Sequence, residues 1–419
     1  MSQKLELTMS PDQLLYLIIG IVVLDYFFDQ TLDFINQKHS NGEIPEKLKG
    51  VYKEDEYVKS QAYQKVCSRF SFWTSAFSTI LILVILYFGG FGYLDKLLAP
   101  YVADPILRSL AFFGVLFVFS DIINLPFTYY STFVIEERFG FNKMTIKTFV
   151  VDKLKGYLLA IIIGGLLGYA LMWIVIELGQ DFWMYALILI TGFTLFMNLF
   201  YTSLILPIFN KLSPLEDGEL KDKINAYAKR VDFPLDNIFI IDGSKRSTKA
   251  NAFFSGLGKK KKIVLYDTLI NDHSQEELVA VLAHEVGHFK KKHIVTGLIL
   301  SVFQMGITFY VMSLLIFNSD LSTALGAEEL SIHINFIAFG MLYAPISRVT
   351  GLFMNMLSRK NEYEADAFAV NSYDAKPLMS ALKRLSVSSL SNLAPHPFYV
   401  KMNYSHPTLL QRLEAMEKL

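Results

Sequence analysis

The chain has 419 residues, of which 53% are hydrophobic, 14% aromatic and 19% charged, with a mean hydropathy of +0.36. A soluble domain carries about 25% charged residues, so this composition excludes disorder, a coiled coil and a disulfide scaffold and points to a membrane protein with a modest polar part. The 39 Lys and Arg balance 39 Asp and Glu, which leaves no net field for phosphate and argues against nucleic acid as a partner.

A helix needs about 20 mostly apolar residues to cross a bilayer. In chain order, seven stretches qualify: residues 14–35, 70–94, 109–135, 156–176, 182–210, 294–319 and 330–347. The first carries Asp25, Asp29 and Asp33, and the third carries Asp121. Acids inside a span face water or a partner, so these residues hint at a wet cavity; the plainer alternative ends the first span near Asp25. That span is a poor signal peptide, because Asp12 precedes it and no Ala-x-Ala site follows. Lys38, Lys47, Lys49, Lys53, Lys59, Lys65 and Arg69 lie between spans one and two, and Arg138, Lys143, Lys147 and Lys153 between three and four. The other short connections are poor in Lys and Arg. This alternation predicts an outside N-terminus and a cytoplasmic C-terminus. The polar segments 211–293 and 359–419 then share the cytoplasmic face. The single Cys67 permits no internal disulfide.

The first polar segment reads as α+β. Residues 215–231 have helical periodicity after Ser213-Pro214, and 238–241 are β-prone. Residues 251–254 and 263–266 flank a Gly- and Lys-rich turn and read as a hairpin, with the four lysines 259–262 as its solvated tip. Ser274-x-x-Glu277 is a capping box that opens the next helix. The expected fold is mainly α: a polytopic membrane protein with an α+β polar domain. Its divisions fall at 1–206 (spans one to five), 207–293 (polar segment with the motif helix), 294–357 (spans six and seven) and 358–419 (C-terminal helices).

That next helix contains His284-Glu285-Val286-Gly287-His288, an H-E-x-x-H motif. Residues four apart share a helix face, so both imidazoles reach one zinc ion. Glu285 sits about 100° around the helix, close enough to take a proton from a zinc-activated water without binding the metal. A shuffled chain of this composition carries roughly 0.007 such motifs. A catalytic zinc needs a third protein ligand and one open position. A metzincin would place Gly and His where this chain has Lys291 and Ile294. His293 lies on the opposite side of a continuous helix from His284. The candidate is Glu362 in Asn361-Glu362-Tyr363-Glu364-Ala365-Asp366. Asp366, four residues on, shares its face and is placed to orient a ligand imidazole; Glu364 points away.

These residues resemble the type 1 CAAX prenyl protease family of integral-membrane zinc peptidases. The likeness extends to Leu125-Pro126-Phe127, Thr132 to Glu137 and Gly140-Phe141-Asn142. It continues in Ser244-Lys245-Arg246-Ser247 with Asn251-Ala252, in Ser358-Arg359 through Ala369, and in Ser405-His406-Pro407 with Arg412-Leu413. The resemblance implies one zinc bound by His284, His288 and Glu362, with Glu285 as general base and acid. It implies that His406 stabilises the tetrahedral oxyanion; from the residues alone His406 reads as a helix cap before Pro407. Asn251 and Ala252 would line the cleft as an edge strand that pairs with substrate backbone. Arg359 and Arg412 would be ion-pair partners of the site, and His396 has no assigned role. The resemblance also implies the fold: seven long helices enclosing a water-filled intramembrane chamber, with a zincin-like α+β metallopeptidase domain whose metal faces inward.

The expected activity is zinc-dependent cleavage near the C-terminus of prenylated or membrane-associated polypeptides, with removal of the last three residues after a lipidated Cys. Compact loops and a C-terminus without an ER-retention signal point to a bacterial member in the inner membrane; a eukaryotic one would sit in the ER membrane. Three alternatives compete. A quality-control protease would share the chemistry without a prenyl requirement. A site-2-type protease is disfavoured by the Lys290-Lys291-Lys292 run beside the motif. A seven-span transporter or channel with structural zinc would need a fourth protein ligand.

Overall fold

The computed structural model describes residues 9–39, 44–255 and 261–419. Among the described residues, six helical stretches are long and apolar enough to cross a bilayer: Pro11–His39, Glu54–Tyr87, Pro105–Phe139, Ile146–Phe209, His293–Leu315 and Ile332–Ser372. The fourth has 64 residues, a rise of about 96 Å, or roughly three hydrocarbon cores. It breaks at Gly179, whose φ of 55° is left-handed. Val175 before the break and Phe182 and Ala186 after it share one buried cluster. The stretch is therefore a hairpin of two rods, which makes about seven rods among the described residues. In the most apolar window of each stretch only 6–17% of residues are buried. The rods thus touch along narrow seams and turn most of their surface to lipid or to interior space.

Several charges inside the rods are paired. The first rod does not end near Asp25 but continues to His39. Arg348 of the last rod donates to Asp25 (2.9 Å) and Asp29 (2.7 Å), and its guanidinium lies over the Phe28 ring. Asp25, Asp29 and Arg348 line a cavity of about 550 Å³ with Ser347, Asn355 and Asn403. Asp121 accepts from Lys153 (2.6 Å) and Tyr157 (2.8 Å). Pairing of this kind is what makes an acid tolerable at membrane depth.

The second and the last rod depart most from their expected bounds. The second begins at Glu54 and ends at Tyr87, and a separate short helix, Gly90–Leu98, follows. The last continues unbroken for 41 residues to Ser372. The boundary expected at 357/358 therefore falls inside one helix, which carries Glu362 and Asp366 on a rigid continuation of the last rod.

Four strands form one sheet: β1 (Leu212–Pro214), β2 (Leu235–Ile241), β3 (Ala252–Ser255) and β4 (Lys261–Tyr266). Their order is β1-β2-β4-β3. β2 and β4 are parallel, and the outer pairs are antiparallel. The expected hairpin is β3–β4. Ser213-Pro214 is an edge strand rather than a helix entry, which suits a proline lacking its N–H; the helix begins later, at Glu219. Of the four-lysine run, Lys259 and Lys260 lie outside the described residues. Lys261 is buried rather than solvated. Its ammonium sits 5.1 Å from the Phe289 ring, and burial pushes its pKa down.

The motif helix, Gln275–Lys290, buries residues around most of its circumference, as a helix in the middle of a core must. One apolar core joins Ile238 and Ile263 of the sheet, Leu282 and Val286 of the motif helix, and Ala369, Leu378 and Leu413 of the C-terminal segment. Ile135, Phe139 and Phe141 at the end of the third rod belong to it as well. The two polar segments thus form one body on one face. Residues 141–143 and 246–248 tie it to the rods: Lys143 N–H donates to Arg246 O and Thr248 N–H to Phe141 O, both at 3.0 Å. Arg246 donates to both Asp152 oxygens (2.8 and 2.9 Å) and to Phe209 O. Lys249 reaches Glu136 at 2.8 Å. This docking anchors the approach to β3.

The capping box is present as expected. Glu277 accepts from the Ser274 N–H (2.8 Å) and from Ser380 Oγ (2.5 Å), and Arg384 lies 3.3 Å away. Burial works to raise this carboxyl, but Ser380, the Ser274 N–H and Arg384 outweigh it and hold it below its ordinary 4.5. A depressed carboxylate contributes fully above its unfolded pKa and loses that contribution as pH falls through the folded value. Glu277→Gln should therefore cost about 1–2 kcal/mol at pH 7. Read as a melting temperature in detergent, the gap to the parent should narrow below pH 4.5. A gap that stays constant across that range would refute the assignment.

Candidate metal centre

The motif helix and the extended last rod cross at Gly287. A Cβ built there would lie 2.9 Å from both the Cα and the carbonyl oxygen of Ala365. Only a residue without a side chain allows this approach, and it brings Glu362 between the two histidines. The ligand atoms of His284, His288 and Glu362 all lie within 4.8 Å of one another.

The three closest edges are nearly equal. His284 Nε2 lies 3.2 Å from His288 Nε2 and 3.4 Å from Glu362 Oε2. His288 Nε2 lies 3.2 Å from Glu362 Oε1. A tetrahedral ion with bonds of about 2 Å has ligand–ligand edges of about 3.3 Å. Glu362 Oε2 is buried without a hydrogen-bond partner among the described residues. Two lone-pair nitrogens and a carboxylate at these separations repel unless a cation lies between them. The donor set therefore fits a small divalent metal, with three protein ligands and one direction left open.

The supporting contacts fix the imidazole proton. Asp366 Oδ1 lies 2.8 Å from His284 Nδ1, which leaves the Nε2 lone pair for metal. Arg412 clamps that carboxylate through Nε (2.8 Å) and Nη2 (2.6 Å). Arg412 is thus the expected ion-pair partner. Arg359 is not: it donates to the carbonyls of Val400 and Tyr404. Arg359 therefore ties down the main chain just before His406. Burial pushes the Glu285 carboxyl up, against the pull of His284 and His288, toward the range where a general base works at neutral pH.

His406 is at the site. Its Nε2 lies 3.3 Å from Glu362 Oε1, and its Nδ1 lies 3.0 Å from Ser405 Oγ. It is not a helix cap, because Thr408 caps the helix that follows. The capping histidine is His396, whose Nδ1 accepts from the Phe398 N–H at 3.2 Å. Asn251 and Ala252 are not joined by any hydrogen bond to the ligand cluster among the described residues. Asn251 O accepts from the Tyr266 N–H, and Ala252 pairs with Leu265. β3 ends the sheet, so among the described residues its outer backbone edge has no sheet partner.

Gly287 and the pair His293 and Glu364 were not expected here. Among the described residues, His293 Nδ1 lies 3.0 Å from His288 Nδ1. The helical projection that set His293 opposite His284 assumes an unbroken helix, and Lys292 breaks it with a φ of 60°. The Lys290-Lys291-Lys292 run was the available sign that the helix stops there.

Residues 35–211 match the family described as CAAX prenyl protease N-terminal, five membrane helices. Residues 214–419 match peptidase family M48. CAAX prenyl protease 1 of Saccharomyces cerevisiae is 34% identical over 96% of this chain and 94% of its own length. The CAAX prenyl protease 1 homolog of Arabidopsis thaliana is 36% identical over 96% of each. The crystal structure of S. mikatae Ste24p superposes with a TM-score of 0.91 at 34% identity, covering 96% of this chain and 98% of that one. These relatives are eukaryotic and lend no support to the expectation of a bacterial member.

The crossing gives a direct test. In Gly287→Ala the new methyl meets backbone, which cannot swing aside, and overpacking of this kind costs about 1–3 kcal/mol. The expected outcome is a folded protein that holds metal at least tenfold more weakly, measured by chelator competition. Unchanged metal retention would show that the close approach does not position Glu362.

Proposed function

The chain belongs to family M48 and to the CAAX prenyl proteases within it, multi-pass membrane metallopeptidases, and on that premise we propose a zinc endopeptidase that removes the last three residues after a prenylated cysteine. The observation that carries this is the ligand triangle of His284, His288 and Glu362, with its edges of 3.2–3.4 Å. His288 lies five residues before His293, where a membrane-crossing helix begins. The left-handed Lys292 folds this short link back, so that His288 Nδ1 lies 3.0 Å from His293 Nδ1. A substrate anchored by a lipid holds its scissile bond at this depth.

Zinc, when bound, supplies the charge that polarises the scissile carbonyl and lowers the pKa of its water to about 7. Glu285 takes the proton of the attacking water and returns it to the leaving nitrogen. His406 donates from Nε2 to the oxygen that becomes negative. Asp366, clamped by Arg412, keeps His284 in the tautomer that offers Nε2. Asn251 and Ala252 lead the free edge of β3, where an extended substrate gains backbone hydrogen bonds by strand addition. The Lys- and Arg-rich connections favour the cytoplasmic side for this whole face, with the bilayer as the lasting partner of the rods. A fourth protein ligand, which a structural zinc in a transporter would need, is absent among the described residues.

Two measurements test this. Glu285→Gln should keep its metal and lose about 10²–10⁴-fold in kcat; full activity would sink the mechanism. Matched farnesylated and unmodified peptides ending in a CAAX tetrapeptide should be cut before the last three residues only when the lipid is present, as read by mass spectrometry. Equal cleavage of both would indicate a general membrane protease instead.

A further inference from the structure

His284 is held by Asp366 and Arg412, but a metal site needs both imidazoles in the correct tautomer. His288 offers Nε2 to Glu362 and to the metal, so its proton must sit on Nδ1. The group facing Nδ1 is the Nδ1 of His293, 3.0 Å away. His293 in turn places its Nε2 3.1 Å from Glu364 Oε2. One arrangement of protons satisfies every contact. His288 Nδ1–H donates to His293 Nδ1, and His293 Nε2–H donates to the Glu364 carboxylate. The reverse arrangement puts a proton on His288 Nε2 and closes it to metal. It would also leave Glu364, an acceptor, facing a bare nitrogen.

We infer that His293 and Glu364 form a second positioning arm, which acts on the metal through His288 and sets how tightly the ion is held. Three features support this. His293 is 9% exposed, so its ring has little access to water as an alternative partner. It reaches His288 only because the left-handed Lys292 turns the chain between the two helices. Glu364 is further held by Lys360, 3.7 Å from its other oxygen. The extended last rod therefore supplies three acids at alternate positions. Glu362 faces the metal, Asp366 steadies His284, and Glu364 steadies His288 through an intervening ring.

The inference rests on the zinc reading above, and zinc binding by the parent enzyme tests that reading separately. The experiment uses the full chain in detergent, loaded with zinc or with cobalt(II) as a spectroscopic probe. His293→Ala should weaken zinc retention about 10–100-fold in chelator competition and shift the cobalt d–d bands. The melting temperature of its metal-free form should stay close to that of the parent. His293→Gln should recover part of the loss, since its carboxamide can accept from His288 and donate to Glu364. Glu364→Gln should weaken retention less, and the His293→Ala/Glu364→Gln pair should be no worse than His293→Ala alone. Unchanged retention and cobalt spectrum in His293→Ala would overturn the arm, as would additive effects in the pair. A parent that binds neither ion would instead overturn the zinc reading.

Discussion

The backbone contact between Gly287 and Ala365 is the constraint on which the rest of the site depends. Two helices normally pack with axes 8–10 Å apart. Glu362 must nevertheless come within 3.4 Å of two imidazoles that project from the other helix. A glycine inside the motif provides the approach, and Ala365, fully buried, provides the matching small surface. The choice has a cost, because glycine in a helix interior is about 1 kcal/mol worse than alanine. That cost is met by the capping box at the other end of the same helix and by the apolar core around it.

The ligand helix is also a membrane rod. Its 41-residue length makes the position of Glu362 a consequence of how the last rod sits among its neighbours. Arg348, some four turns before Glu362 on that helix, grips Asp25 and Asp29 of the first rod. A cationic side chain at that depth is tolerated only with such partners, so the clasp defines the rod's rotation as well as its neighbour. On the other side of the molecule, Arg246 joins the fourth rod, the end of the fifth and the approach to β3. Sheet and rods therefore share anchors, and His284, His288 and Glu362 lie on the helices that join the two systems.

Much of the centre was legible because it depends on local periodicity. His284 and His288 had to share a face, Glu362 and Asp366 had to share a face, and Ser274 with Glu277 had to cap. Each follows from 3.6 residues per turn. Readings failed where a helix started, stopped or continued against the pattern. Lys292 ends one helix early and brings His293 back to the site. The last rod runs on where a boundary was expected. Lys261 lies inside although its neighbours in sequence suggest solvent. Arg359 finds main-chain carbonyls where an acid was expected. His396, rather than His406, turns out to be the capping residue.

The sequence by itself determined that this is a polytopic helical membrane protein with a metal-binding helix, since bilayer thickness and helical repeat act on stretches of chain without reference to the rest. It also determined which residues were able to serve as ligands and as base, because those roles require particular side chains at particular spacings. Only the tertiary structure decided which distant groups complete the site. The pairings of Asp366 with Arg412, of Glu362 with His406, and of His288 with His293 and Glu364 depend on helix crossings and corners. Those are set by close packing summed over many weak contacts, and no short stretch of sequence encodes them.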